Sequence, residues 1–269
     1  MVEDKPPRYF VQALAKGLKV LESFDTTRPV MSLTDIARAL DLNKPTAKRF
    51  LQTLCDLGYV QQTSDKRYRL GTHSLDLGYR YLASLDLANV AQPFMQEAVH
   101  RTGETVNLAV RDGREVVYVS RIAAAPRILT VNLQVGSRLP LHATALGKAL
   151  LFDIPTSRLE EALGPAPWTR YTDATLCDPV SLGRDLDTAR ERGFTVTDGD
   201  LELGLRSVGA PVRNVSGQIV AAMNVSTSTA RVSKRKVLGA FSTVLLEAAS
   251  GLSRALSHRD VAASAIARS

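Results

Sequence analysis

At 269 residues, 45% hydrophobic and 23% charged, the chain has room for two domains that bury cores without disulfides or metal. Its two cysteines, Cys55 and Cys177, stand far apart, which excludes a disulfide framework and a cysteine-rich zinc site. The net charge is +7, and residues 1–85 hold 13 Lys/Arg against 9 Asp/Glu while residues 86–269 hold 21 against 18. The excess is thus about three times denser in the first third, which suits a polyanionic partner there as well as a merely solvated surface.

Residues 1–8 are charged and proline-containing and read as a tail without the apolar core of a secretory leader. From Tyr9 to Phe24, Phe10, Leu14, Leu18, Leu21 and Phe24 recur every three or four positions, one face of a helix. Thr26-Thr27-Arg28-Pro29 breaks it. Ser32-Leu33-Thr34-Asp35 is a capping-box pattern opening a second helix with Leu33, Ile36, Ala37 and Leu40 as its buried stripe. After the turn Asp41-Leu42-Asn43, a third helix capped by Asn43 runs to about Leu57, with Pro45 tolerated in its first turn and Gly58 at its C-terminal stop. Tyr59–Gln62 and Arg67–Leu70 predict a hairpin around residues 63–66. Residues 72–85 predict a linker helix, and Leu87–Arg101 a further one broken near Pro93.

Beyond residue 101 strands and helices mix. Strands are predicted at Thr105–Arg111, Val116–Ile122, Ile128–Val131, Phe194–Val196, Ser207–Val212 and Ile219–Ser226, and helices at Thr144–Leu151, Ser157–Leu163, Pro179–Arg192 and Ser233–Ser257. Asp112-Gly113 and Asn214–Gly217 mark antiparallel hairpins, so one main sheet in an α+β domain is expected. No stretch is long and apolar enough to span a bilayer.

Two short helices, a three-residue turn and a basic hairpin are the plan of a winged helix-turn-helix. Between the apolar positions of the third helix lie Lys44, Thr46, Lys48, Arg49, Gln52 and Thr53, with no acid before Asp56. Such a face can hold phosphates and reach base edges: Arg49 suits guanine, Gln52 adenine, and Lys44 and Thr46 near the helix start suit phosphate. Lys66 and Arg67 extend the basic surface into the wing. Enzyme signatures are missing. Ala145-Leu146-Gly147-Lys148 lacks the upstream glycine and the Ser/Thr of a phosphate loop, and the four histidines, His73, His100, His142 and His258, show no metal spacing. No catalysis, cofactor or metal is expected.

Leu14–Phe24, Leu33–Ala37, Leu54–Val60, Tyr68–Gly71, Leu141–Leu151, Gly204–Ser207 and Ala210–Val212 together resemble the IclR family of bacterial regulators over nearly the whole chain. Phe10–Leu18, Leu77–Leu85 and Val90–Pro93 resemble the branch that controls protocatechuate, 4-hydroxybenzoate and β-ketoadipate catabolism. The resemblance implies an α+β fold: a winged helix-turn-helix at residues 1–71, a linker helix at 72–87 and a GAF-like α/β effector-binding domain at 88–269. It implies double-stranded operator DNA and a small organic acid as partners, a homodimer or dimer of dimers, a bacterial cytoplasm as the setting, and control of a catabolic operon. An effector-independent repressor is the alternative, and neither activation nor repression is decided.

Carried over by position, the family's effector pocket would have an apolar wall of Ile128, Val131, Leu139, Ala145, Leu146 and Leu205 and a polar set of Thr197, Ser207, Asn224 and Ser226. The prototype resembles Asp, Cys, Ser and Ser at those four places, so this chain lacks its formal charge there. That implies an aromatic or dicarboxylic acid rather than a small keto acid. Arg121, Arg138 and Arg206 are candidates for gripping its carboxylate. Arg206 could equally form an ion pair with Asp200 or Glu202. His142 either reaches the pocket or fixes the start of the following helix, which Thr144 would cap. Ser207, Asn224 and Ser226 alternate with apolar residues and either line a pocket or satisfy one another in the core.

Overall fold

A computed structural model describes residues 7, 9–124 and 133–266. Contacts divide the chain into one unit spanning Met1–Ser84 and another spanning Leu85–Ser269.

The first unit begins with α1 (Gln12–Glu22), α2 (Leu33–Ala39) and α3 (Lys44–Asp56). Ser32 caps α2 with its side chain on the Asp35 amide, and Asp35 returns a bond to the Ser32 amide, so the predicted capping box forms. Asn43 accepts from the Thr46 amide at 2.8 Å and starts α3. Asp41, at φ 49°, makes the tight corner between the two helices. Strands β1 (Val60–Gln62) and β2 (Tyr68–Leu70) pair antiparallel, and Met31 exchanges two backbone bonds with Tyr68, tying the loop before α2 to the wing. Val20, Phe24, Met31, Ile36, Leu51, Val60 and Tyr68 form the core. The stripe read from the sequence is buried by this unit only at its C-terminal end: Phe24 is in the core with Leu21 packed against it and Val20 beside them, while Phe10, Leu14 and Leu18 are 48–63% exposed. α4 (His73–Leu85) follows, and His73 Nδ1 bonds the Leu57 carbonyl at the end of α3.

In the second unit α5 (Leu87–Thr102) leads into a six-stranded antiparallel sheet of order β5-β4-β3-β8-β7-β6. The strands are β3 (Thr105–Asp112), β4 (Glu115–Ile122), β5 (Arg138–Pro140), β6 (Thr195–Asp198), β7 (Leu205–Arg213) and β8 (Ile219–Ser228). Helices α6 (Ala145–Leu150), α7 (Leu159–Leu163) and α8 (Pro179–Arg192) lie between β5 and β6 in the chain. After β8 come a short turn α9 (Lys234–Lys236), a π-helical turn (Val237–Phe241) and α10 (Ser242–Ile266), so the expected single helix from Ser233 is interrupted early. Pro93 does not break α5. Its exposed position leaves the freed carbonyl one turn back to solvent, which lets the helix continue past it. β5 was not anticipated; it is three residues long and half-buried, too short for a periodic signal. The predicted strand Ile128–Val131 lies outside the described residues.

Register sorts the sheet into two faces. Val106 and Leu108 on β3, Val225 and Met223 on β8, and Val208 and Ala210 on β7 share the face that packs on α5 and α10. The opposite face carries polar residues at one end and, toward the other, Ala109 and Ala222, which join Leu141, Leu146, Leu151, Leu159, Trp168, Leu182 and Leu186 in the main core. α6 is drawn tightly onto this face. A Cβ at Gly209 would lie 2.4 Å from the Ala145 carbonyl oxygen, so only glycine permits the approach.

Candidate functional site

On α3 the residues Lys44, Lys48 and Gln52 fall four apart and share one face, with Arg49 and Thr53 beside them; all five are exposed. Thr46 is half-buried, its amide held by Asn43 and its hydroxyl near the helix start. Ala47 and Leu51, fully buried on the opposite side, fix the rotation that turns this cationic face outward. Lys66 sits at the wing tip at φ 60° and points into solvent. Arg67 is exposed but anchored: Nη2 donates to the Val30 carbonyl at 2.9 Å, which also braces the wing. Arg69 bridges the hairpin to Gln61 at 2.9 Å. The arrangement can neutralise phosphates along one line and insert neutral and guanidinium donors beside them.

In the second unit a cavity of about 160 Å³ opens between the polar half of the sheet, α6 and the loop after β6. Leu139, Ala145, Thr197, Leu205, Ser207, Asn224, Ser226 and Arg121, all named from the sequence, line it. Ile128 and Val131 lie outside the described residues. Leu146 does not line it; it is fully buried in the main core, because α6 turns that side toward Leu141 and Leu150. Arg138 is at the exposed sheet edge, held by Asp112 at 2.5 Å and Glu115 at 2.6 Å, so the β4–β5 pairing directs it away from the cavity. Arg206 pairs with Asp198, its cross-strand neighbour, rather than with Asp200 or Glu202, and also donates to the Val232 carbonyl.

His142 faces a separate groove with Trp168 and Tyr171, their ring centroids 5.7 and 6.0 Å away. Its Nε2 donates to the Thr169 carbonyl at 2.9 Å, and burial pushes the imidazole below its ordinary value, so it is neutral near pH 7. Thr144 caps α6, accepting from the Gly147 amide at 3.0 Å and donating to the Pro140 carbonyl at 2.9 Å.

Tyr118, Leu133, Ala143, Leu201 and Leu203, not expected from the sequence, also line the wall, as do Asp200 and Glu202, which the sequence offers only as partners for Arg206. The cavity is therefore not free of charge, as its four anticipated polar residues alone would be. Asp200 is neutralised from behind by Lys148, itself 1% exposed, at 2.7 Å. Lys148 also stands 2.9 Å from Asp185 Oδ2, off the hydrogen-bonding direction, so that contact is electrostatic only. Tyr118 is nearly fully buried, and desolvation raises its phenol far above the usual range, keeping it neutral.

One continuous row of hydrogen bonds crosses the sheet floor. Arg121 Nη1 donates to Asn107 Oδ1 at 2.8 Å, Asn107 Nδ2 to Asn224 Oδ1 at 2.7 Å, and Asn224 Nδ2 to Ser226 Oγ at 3.0 Å; Ser207 Oγ lies 2.9 Å from Ser226 Oγ. Arg121 has no carboxylate partner among the described residues, and burial lowers its pKa without threatening its charge. Among the described residues the site thus offers a guanidinium with no carboxylate partner, the Glu202 carboxylate, a hydroxyl pair and an apolar wall around a ring-sized space. Asn107 carried a readable signal: it alternates with Val106 and Leu108 on a strand, a polar side chain turned to the face its neighbours avoid. Asp200 and Glu202 carried none, since they sit in a loop whose path only the fold sets.

A DNA-binding winged helix-turn-helix on one unit and a ligand-sized cavity on another define a one-component transcriptional regulator rather than an enzyme. The sequence pattern of the IclR helix-turn-helix domain matches residues 13–64, and that of the bacterial transcriptional regulator IclR C-terminal domain matches residues 79–254. The chain belongs to the IclR family. It is 37% identical over 244 residues to the Pca regulon regulatory protein of Pseudomonas putida, covering 90% of this chain and 83% of that one. Among solved structures it is similar to the IclR of Thermotoga maritima, at 29% identity and a TM-score of 0.75, covering 91% of this chain and 98% of the other. It is similar also to an IclR homologue from Microbacterium hydrocarbonoxydans complexed with 4-hydroxybenzoate, at 29% identity and a TM-score of 0.79 over the same shares of the two chains. Among the described residues no helix is long and apolar enough to cross a membrane.

Proposed function

We propose that this regulator senses a small aromatic acid of the size and charge of 4-hydroxybenzoate and controls a catabolic operon in response. The observation that carries the reading is Arg121: a guanidinium without a carboxylate partner among the described residues, on the wall of a cavity of about 160 Å³, roughly the volume that holds one benzene-sized ring. Its remaining N–H groups suit a carboxylate. Leu139, Ala145 and Leu205 cover the ring, and Thr197, Ser207, Asn224 and Ser226 meet its polar substituent. Similarity to the P. putida regulator and to the 4-hydroxybenzoate complex supports the pathway and the ligand class.

In the same reading residues 1–71 are the DNA-binding domain, 72–87 the linker and 88–269 the effector domain. Lys44, Thr46, Lys48, Arg49 and Gln52 contact operator DNA, with Lys66 and Arg67 on the flanking backbone. The protein acts in the bacterial cytoplasm as a homodimer or a dimer of dimers; the exposed Leu14 and Leu18 on α1, with Phe10 just before it, supply an apolar contact for it.

Thermal-shift and footprinting measurements test both halves. 4-Hydroxybenzoate at about 100 times its Kd is expected to stabilise the fold by about 2.7 kcal/mol. Arg49→Ala is expected to cost specific binding about 1–3 kcal/mol while leaving that thermal shift intact. No stabilisation by any aromatic acid would remove the sensor reading, and an unchanged footprint would remove Arg49 from the interface.

A further inference from the structure

The row of hydrogen bonds across the sheet floor has a direction, and Arg121 imposes it. A guanidinium can only donate. Its bond to Asn107 Oδ1 turns the Asn107 amide nitrogen toward Asn224, which must then accept through Oδ1 and offer Nδ2 to Ser226. Ser226 Oγ accepts that bond. Two hydroxyl protons remain on Ser226 and Ser207, whose oxygens are 2.9 Å apart, and the bond between them uses one. The other is left for the cavity. Were Asn107 turned the other way, Ser226 would give its proton to Asn224, Ser207 would give its proton to Ser226, and only lone pairs would face a ligand. Asn107, Asn224 and Ser207 are at most 4% exposed, so bulk water cannot reset the order.

We propose that Arg121, acting through Asn107 and Asn224, sets the hydrogen-bond polarity of the Ser207–Ser226 end of the cavity, so that this end takes a ligand oxygen that accepts and disfavours a group that only donates. The inference rests on the acid-sensing reading above and narrows its ligand class. The effector carries a carboxylate for the N–H groups of Arg121 that Asn107 does not take and a second acceptor oxygen at its far end: a carbonyl, a second carboxylate or a phenol oxygen. In this role Asn107 and Asn224 are positioning residues.

The test is a pair of probes that differ only at the para position. 4-Formylbenzoate presents an acceptor there and 4-aminobenzoate a donor. Titration calorimetry on the full-length protein is expected to favour 4-formylbenzoate by about ten-fold, the worth of one well-placed hydrogen bond. Asn107→Asp keeps the size and the contact with Arg121 but can only accept, so Asn224 must turn and the row reverses; the preference is expected to swing to 4-aminobenzoate. Both probes carry the same carboxylate, so the added charge cancels in the ratio. Arg121→Gln, whose amide can face either way, is expected to bring the ratio toward one. This second variant keeps the test open should a buried carboxylate at position 107 prevent folding. An unchanged ratio in a variant that still binds both probes overturns the relay and leaves the acid pocket standing. Failure of the unmodified protein to bind either benzoate overturns the acid-sensing reading itself.

Discussion

Lys148→Met is the most informative perturbation of the sensor unit. Lys148 is buried in α6 between Asp200 at 2.7 Å and Asp185 at 2.9 Å. Methionine fills nearly the same space, so the loss is electrostatic rather than a cavity. Removing one partner of a buried ion pair costs about 3–5 kcal/mol, because the opposite charge is left desolvated. Two features place this case at the low end. The Asp185 side chain is 27% exposed overall, although the Oδ2 that faces Lys148 is buried, and Asp200 Oδ1 keeps the Asp198 amide at 2.7 Å. A loss of about 3 kcal/mol follows, which for a unit of this size lowers Tm by about 6–12 °C. Differential scanning calorimetry at neutral pH measures it. Adding Asp185→Asn and Asp200→Asn to the same chain is expected to recover most of the loss, since no uncompensated carboxylate then remains. A decrease below about 1 kcal/mol, or a triple variant no more stable than Lys148→Met alone, would refute the account of Lys148 as the counter-charge that lets Asp200 sit on the cavity wall.

Two further outcomes are expected. His142 titrates below its ordinary value of 6.5 because it is buried, so the unfolded chain takes up its proton more readily. The stability it contributes is full above pH 6.5 and is lost as pH falls below it; thermal melts from about pH 7 to 5.5 should therefore fall more steeply in the unmodified protein than in His142→Asn, and parallel curves would exclude this assignment. Gly209→Ala would set a methyl 2.4 Å from the Ala145 carbonyl oxygen and 2.7 Å from Thr195 Oγ1. Forcing α6 off the sheet is expected to cost about 1–3 kcal/mol in urea unfolding and to weaken binding of an aromatic acid; a variant as stable as the parent would show that the helix can move away freely.

Local signals were enough wherever the physics is local. Ser32 with Asp35, Asn43 with Pro45, and Gly58 each cap or stop a helix through atoms within a few residues, and the structure realises all of them. The cationic face of α3 was legible for the same reason, since helical spacing alone puts Lys44, Lys48 and Gln52 in line. Polar residues alternating with apolar ones on β7 and β8 revealed half of the cavity floor. The stripe from Phe10 to Phe24 held only at its C-terminal end, because periodicity reports that a face is apolar, not which surface covers it; Leu21 and Phe24 serve the core of the unit and Phe10, Leu14 and Leu18 do not.

What the chain's own pattern determined, then, is a winged helix-turn-helix whose third helix carries no acid before Asp56, an antiparallel sheet, and a set of strand residues of the right polarity to line a site. Only the tertiary structure decided which charges meet. Arg121, Arg138 and Arg206 are alike in sequence context. Pairing of β4 with β5 gives Arg138 to Asp112 and Glu115, pairing of β6 with β7 gives Arg206 to Asp198, and pairing of β3 with β4 leaves Arg121 on an amide, with no carboxylate partner among the described residues. Lys148, in a segment that superficially resembles a phosphate loop, becomes a buried counter-ion because α6 lies against Asp185 and Asp200. These guanidinium partners come from neighbouring strands and turns 8 to 26 residues away in the chain, and neither local spacing nor composition encodes which of them meet.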